Sequence, residues 1–312
     1  MRQVVKRARS VIVVAAWLCA QVALPAAAYV RTTTETSGVP VQWNEKCVVV
    51  TIDLRGSKDI ALPDIATTLQ RAVMNWTGRT STCGGLALAS RPADKVLDVA
   101  PDGLPAVIFR NDAWQRPGHA PHDPAAIGLT TVMYVNTPGV PGDGTILDAD
   151  IELNNVNYTF TTDPANAVAR PGTQVADLEN TLTHELGHVQ GLAHTCWDHI
   201  TPTPPLDNNG VPIPDCNDPN LPASVTMTTM YPYASMPGET TKRNLSPDDV
   251  NGVCDVYKPL AGKLGCYPEI DGGLQCSAAP SERRSRWPLV PAALAALGGA
   301  IAVARRRRCS RS

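Results

Sequence analysis

Residues 183–194 read THELGHVQGLAH and carry three of the chain's six histidines. His184 and His188 are four apart, so on a helix their imidazoles project from one face, about 6 Å apart along the axis. That spacing lets two ring nitrogens converge on one Zn2+. Glu185 stands about 100° round from His184, turned away from ligation yet near enough to reach a zinc-activated water. His194 makes a further demand. On a continued helix it would lie about 9 Å beyond His188 and roughly 240° round the axis, out of reach of the same ion. The chain must therefore turn after His188, and Gly191 is the residue that takes positive φ and ends a helix at low cost. Three neutral ligands leave one position open, the arrangement of catalytic zinc, and Glu185 is then placed as general base and acid for hydrolysis of a peptide bond.

Outward from this stretch, Thr173 can cap a helix running through Val175, Leu178, Leu182, Leu186 and Val189 to Gly191. Residues 47–54, CVVVTIDL, read as a buried strand. Pro63 and Asp64 open a helix with Ile65, Leu69, Ala72, Val73 and Trp76 on one apolar stripe. Ala106–Arg110 is a short strand, and residues 127–135 are β-rich. Residues 147–154 alternate, predicting Leu147, Ala149, Ile151 and Leu153 inward and Asp148, Asp150, Glu152 and Asn154 toward solvent. Strand, helix and returning strand imply a twisted sheet covered by helices. Residues 196–222 form a loop rich in Pro, Asp and Asn, and Leu245-Ser246-Pro247-Asp248-Asp249 starts a helix with Ser246 as N-cap. The acidic turn at 143–150, and Asp207, Asp215 and Asp218 in the loop, fit either Ca2+ or plain solvation.

The two ends read as targeting segments. Residues 1–28 join four basic residues, an apolar run and Ala26-Ala27-Ala28, a secretory signal cut after Ala28. Residues 260–286 read as linker; 287–304 are apolar and are followed by Arg305–Arg308, an 18-residue span of about 27 Å. Either a permanent anchor or a processed sorting tail fits, with the arginines on the cytoplasmic side. Between residues 29 and 281 there are 15 basic against 28 acidic residues, which argues against nucleic acid as a partner. Seven cysteines fall in the exported body, where an oxidising compartment favours pairing. Proximity pairs Cys47 with Cys83, Cys196 with Cys216 and Cys254 with Cys266, leaving Cys276 over.

HELGHVQGLAH resembles the extended zinc-binding signature of the metzincin metallopeptidases, and Thr229-Met230-Tyr231-Pro232-Tyr233 resembles the methionine turn of that clan. Within the clan the likeness is to matrixins and their bacterial relatives, over most of residues 29–257, and the basic-ended tail resembles a sorting signal of the myxobacterial kind. The resemblance implies an α+β, zincin-like catalytic domain over residues 29–259. Its twisted, mostly parallel sheet, with an antiparallel edge strand, would lie above the zinc helix, and a smaller C-terminal subdomain would follow. It also implies His184, His188 and His194 as zinc ligands, Glu185 as the acid-base residue and Met230 as the floor beneath the metal. Residues 127–135 become the strand along which a peptide lies extended, with Ile127, Leu129 and Thr131 as contacts and Tyr233 as a pocket wall. Tyr233 stands one residue earlier than the matrixin wall tyrosine, where this chain has Ala234, and residues 29–46 are too short for a cysteine-switch propeptide. The expectation is a monomeric endopeptidase, surface-anchored or released by tail processing, acting on protein or peptide. The alternative is a non-catalytic adhesion module stabilised by zinc.

Overall fold

The computed structural model describes residues 29–257 apart from Gly85. The signal, linker and tail expected at 1–28, 260–286 and 287–312 lie outside the described residues, as do Cys266 and Cys276. Among the described residues no helix is long and apolar enough to cross a membrane.

A two-residue strand β1 (Val30–Arg31) leads to β2 (Cys47–Ile52), after which α1 (Leu62–Thr80) returns the chain to β3 (Ala87–Arg91). Then come β4 (Ala106–Arg110), β5 (Gly128–Tyr134) and β6 (Ile146–Asn154). Five of these form one sheet in the order β3-β2-β4-β6-β5, all neighbours parallel except β5, which is antiparallel to β6 at the edge. The protein is thus α+β with a mixed, mostly parallel sheet.

The remaining elements are β7 (Tyr158–Thr161), β8 (Gln174–Asp177), α2 (Leu178–Val189), β9 (Leu192–Ala193), α3 (Ala223–Thr226) and α4 (Pro247–Val256). The stripe read on α1 is buried in full: Ile65, Leu69, Ala72, Val73 and Trp76 pack with Leu178, Leu182, Leu186 and Val189 of α2 beneath Val50, Ala149, Ile151 and Leu153 of the sheet. Trp76 also locks the two helices together, its indole N–H donating to the Thr183 carbonyl at 2.9 Å.

Three readings of the sequence are corrected. The helix that carries His184 and His188 does not begin at Thr173. Residues 174–177 pair in parallel with β7, and the helix starts only after Asp177, whose carboxylate accepts from Asn180 N at 2.8 Å. Cys83 bonds to Cys254 across 171 residues, tying α1 to α4; Cys47 is disulfide-bonded but not to Cys83. Sequence proximity misleads here because the fold brings distant segments together, while Cys196–Cys216 forms as expected and staples the long loop.

The third correction concerns β6, whose acidic face is buried rather than solvated. Asp148, Asp150, Glu152 and Asn154 are each 1% exposed or less. Segments between residues 95 and 126 cover that face and supply partners. Asp148 accepts from the backbone N–H groups of Asp102 and Gly103, and Asp150 from those of Ala100 and Ala106. Glu152 pairs with Arg110 and Arg116. At the other end of β6 the register with β5 shifts at Met133/Tyr134, so that Ile146 turns inward and Leu147 outward.

Burial, with the neighbouring Asp148 charge adding, pushes Asp150 up to about 7. An unfolded aspartate titrates near 4, so the folded state holds this proton more tightly. Its contribution to stability is therefore full below about pH 4, declines as pH rises, and is lost above about pH 7. Burial pushes Glu185 into the same range, so the clean measurement is a comparison of variants. Between pH 5 and pH 8, Asp150→Asn is expected to gain on the parent by on the order of 2 kcal/mol in urea unfolding. A constant difference between the two proteins contradicts this assignment.

Candidate metal centre

α2 presents His184 and His188 on one face, and the helix then stops. Gly191 has φ +87, and an added Cβ would lie 2.7 Å from the Val41 carbonyl oxygen. The last carbonyls of the helix find partners outside it. Val189 O accepts from Trp43 Nε1 at 2.7 Å, Gln190 O from the Tyr257 hydroxyl at 3.0 Å, and Gly191 O from Thr32 N at 3.0 Å. The chain enters β9, which pairs with β1, and so delivers His194 back to the helix face.

The three imidazoles share one pattern. Nδ1 of His184 donates to the Thr229 carbonyl at 2.6 Å, Nδ1 of His188 to the Leu192 carbonyl at 2.9 Å, and Nδ1 of His194 to the Asp198 carboxylate at 2.6 Å. These bonds place each ring proton on Nδ1 and leave Nε2 as a bare lone pair. The Nε2 atoms of His184 and His188 lie 3.3 and 3.1 Å from that of His194. Three lone pairs so close repel one another unless a cation sits among them. Tetrahedral Zn–N bonds of about 2.05 Å require ligand nitrogens roughly 3.4 Å apart, so the donor set fits zinc. Burial, the largest cause, pushes His188 down to about 3 and His184 well below its ordinary value, which keeps both neutral for ligation. Among the described residues, the acidic side chains form no comparable group of ligand atoms. Asp207, Asp215 and Asp218 instead cap their own turns by accepting from Asn209, Asn217 and Asn220 N–H groups.

Glu185 is not one of the converging groups; its carboxylate lies against the edge strand β5. Its Oε2 accepts from the Thr130 hydroxyl at 2.6 Å, and Gly128 opposes it so closely that an added Cβ would meet Oε1 at 2.5 Å. Burial pushes its carboxyl up to about 7, against the opposing pull of the Thr130 hydrogen bond and the Lys242 charge. Since alternate residues of a strand face opposite sides, Gly128 and Thr130 are the β5 residues turned toward Glu185. Thr131 is turned the other way, its hydroxyl bonded to Arg116. Leu129 shares that face, and Ile127 packs against the main core just before the strand while its carbonyl accepts from Asn154 N.

Met230 is buried at 1% exposure, and its sulfur packs onto Gly187, between the two helical histidines, where no side chain larger than hydrogen fits. Its backbone is held from below. Both Asp249 carboxylate oxygens accept N–H groups, from Thr229 at 2.8 Å and Met230 at 3.2 Å, while the same residue completes the capping box of α4 with Ser246. The helix start read in the sequence thus also positions the carbonyl that orients His184. Tyr233 follows, half exposed, with its ring edge-on to Tyr231.

Four residues of this centre escape a reading of the sequence. Thr130, Asp198 and Lys242 gain their places only through the tertiary fold. Gly128, a glycine at the head of a β-rich run, does carry the usual mark of close backbone approach. No family model and no curated protein matches the chain.

Proposed function

We propose that the chain is a zinc-dependent endopeptidase of the metzincin kind, matrixin-like, exported and held at the cell surface or outer envelope through its C-terminal tail. The observation that carries this reading is the convergence of three Nε2 lone pairs beside a buried carboxylate that takes no part in them. His184, His188 and His194 would hold the ion, and zinc there supplies Lewis acidity for a peptide carbonyl and the water that attacks it.

The chain's own groups account for the rest. Glu185 receives the proton that water releases as it adds to the carbonyl carbon, and returns it to the nitrogen as the C–N bond breaks, so the amine departs neutral. Thr130 fixes the carboxylate orientation through its hydroxyl. β5 ends the sheet, so its outer backbone groups are available to an extended peptide, and Leu129 and Thr131 serve such binding through the main chain. Asp198, bonded to Nδ1 of His194, holds that ring in the tautomer ligation needs. A zinc-stabilised adhesion module would explain three histidines but would leave Glu185 and the open strand edge without a task.

The test is metal content and cleavage together. The purified chain is expected to carry one zinc and to cleave members of a broad peptide library; chelation should abolish cleavage and added zinc restore it. A zinc-loaded chain that cleaves nothing, or cleavage that survives complete removal of metal, would overturn the proposal.

A further inference from the structure

Lys242 is only 7% exposed, and the Nζ group of this buried cation donates to one acceptor, the Tyr233 carbonyl at 3.1 Å. Among the described residues no carboxylate lies within ion-pair distance of it. Glu239, Glu185 and Asp249 act on it electrostatically but not in contact, and Glu239 also accepts from Ser235 and Thr241. An ammonium has three donors and is costly to bury unpaired. Something brings the lysine here.

Its position is fixed from both sides. The one-turn 3-10 helix at Thr241–Arg243 is clamped to the start of α2: Lys242 N donates to Asn180 Oδ1 at 2.8 Å, and Arg243 Nε to Asp177 Oδ1 at 2.8 Å. Asn180 is four residues before His184, on the same helix face. The lysine side chain then crosses to Tyr233, in the segment that leaves Met230. It bridges α2 and the segment that follows Met230, and its charge reaches His184, His188 and Glu185. On the peptidase reading, with a peptide extended along β5 and Tyr233 as a pocket wall, a substrate side chain entering that pocket would come next to this ammonium.

We propose that Lys242 is a specificity-determining residue of the site, selecting substrates with a carboxylate side chain on a residue flanking the scissile bond. This assignment rests on the peptidase reading above. The Tyr233 carbonyl holds the amine in place between substrates, and a substrate aspartate or glutamate supplies the carboxylate at contact distance that the described residues do not, forming a charge-assisted hydrogen bond in a water-poor setting. Burial already pushes Lys242 down to about 8, and the arriving carboxylate restores its preference for the protonated form.

The experiment uses the zinc-loaded chain and peptides in which Glu or Gln is placed in turn at each position on either side of the cleaved bond. At one flanking position kcat/KM is expected to favour Glu over Gln by about 10- to 100-fold. Lys242→Met, with zinc content checked, should bring that ratio to near one, and Lys242→Arg should retain much of it. Cleavage without any Glu preference overturns the assignment and leaves the peptidase reading standing, as does a preference that survives in Lys242→Met. No cleavage of any peptide overturns both. Where Lys242→Met does not fold, the parent's own ratio decides.

Discussion

Glu185→Gln is expected to keep its zinc and to lose between about 10^2- and 10^4-fold in kcat/KM, the range for removing a general acid-base group. Glutamine has the size of glutamate and can still accept from the Thr130 hydroxyl, which now bonds the carboxylate at 2.6 Å. The pocket beneath Gly128 therefore stays filled, and the 5% exposure of the side chain need not change. What disappears is the ability to take a proton. The proposed ligand set does not include residue 185, since the three Nε2 atoms converge on one another and each Nδ1 is oriented by Thr229, Leu192 or Asp198. Metal analysis beside steady-state kinetics separates the outcomes. Equal cleavage by the variant removes Glu185 from the chemistry, and lost zinc would mean that the carboxylate shapes the ligand cage instead.

The parts of this site that a sequence discloses are those whose geometry is local. His184 and His188 need only a helix, and Gly191 marks where that helix must stop; the stripe of α1 is legible for the same reason. β6 shows the boundary. Alternation establishes that its two faces differ, but which face meets water depends on what covers it. Here segments around residues 95–126 bring backbone N–H groups and Arg110 and Arg116 onto the carboxylates. The start of α2 is illegible for a related reason: Val175 fits a helical period, yet its segment pairs with β7, a partner that no local pattern announces. Cys83–Cys254, Asp198 on His194 and Lys242 against Tyr233 all join segments whose nearness is a product of the finished fold.

The second large effect is expected at Gly191, where replacement by valine should weaken zinc binding by at least about 100-fold, more than the loss of an orienting partner alone. Two costs coincide at this position. At φ +87 a β-branched residue is strained by its own backbone, and the new Cβ would lie 2.7 Å from the Val41 carbonyl oxygen. That carbonyl cannot easily retreat, because Arg31 donates to it at 2.5 Å and Val41 N is held by Thr32 O at 2.9 Å. The strain is relieved only by moving residues 191–194. Those residues carry the Leu192 carbonyl that orients His188 and the His194 ring itself, so one substitution disturbs two ligands of three. Gly118→Ala provides the control. Gly118 has φ +78 and open space around it, so the variant carries backbone strain without the clash. It should cost about 1 kcal/mol of stability and leave zinc affinity unchanged in competition with a chelator. Parent-like zinc affinity in Gly191→Val would mean that His194 does not depend on the helix stop, and the three-ligand geometry would have to be abandoned.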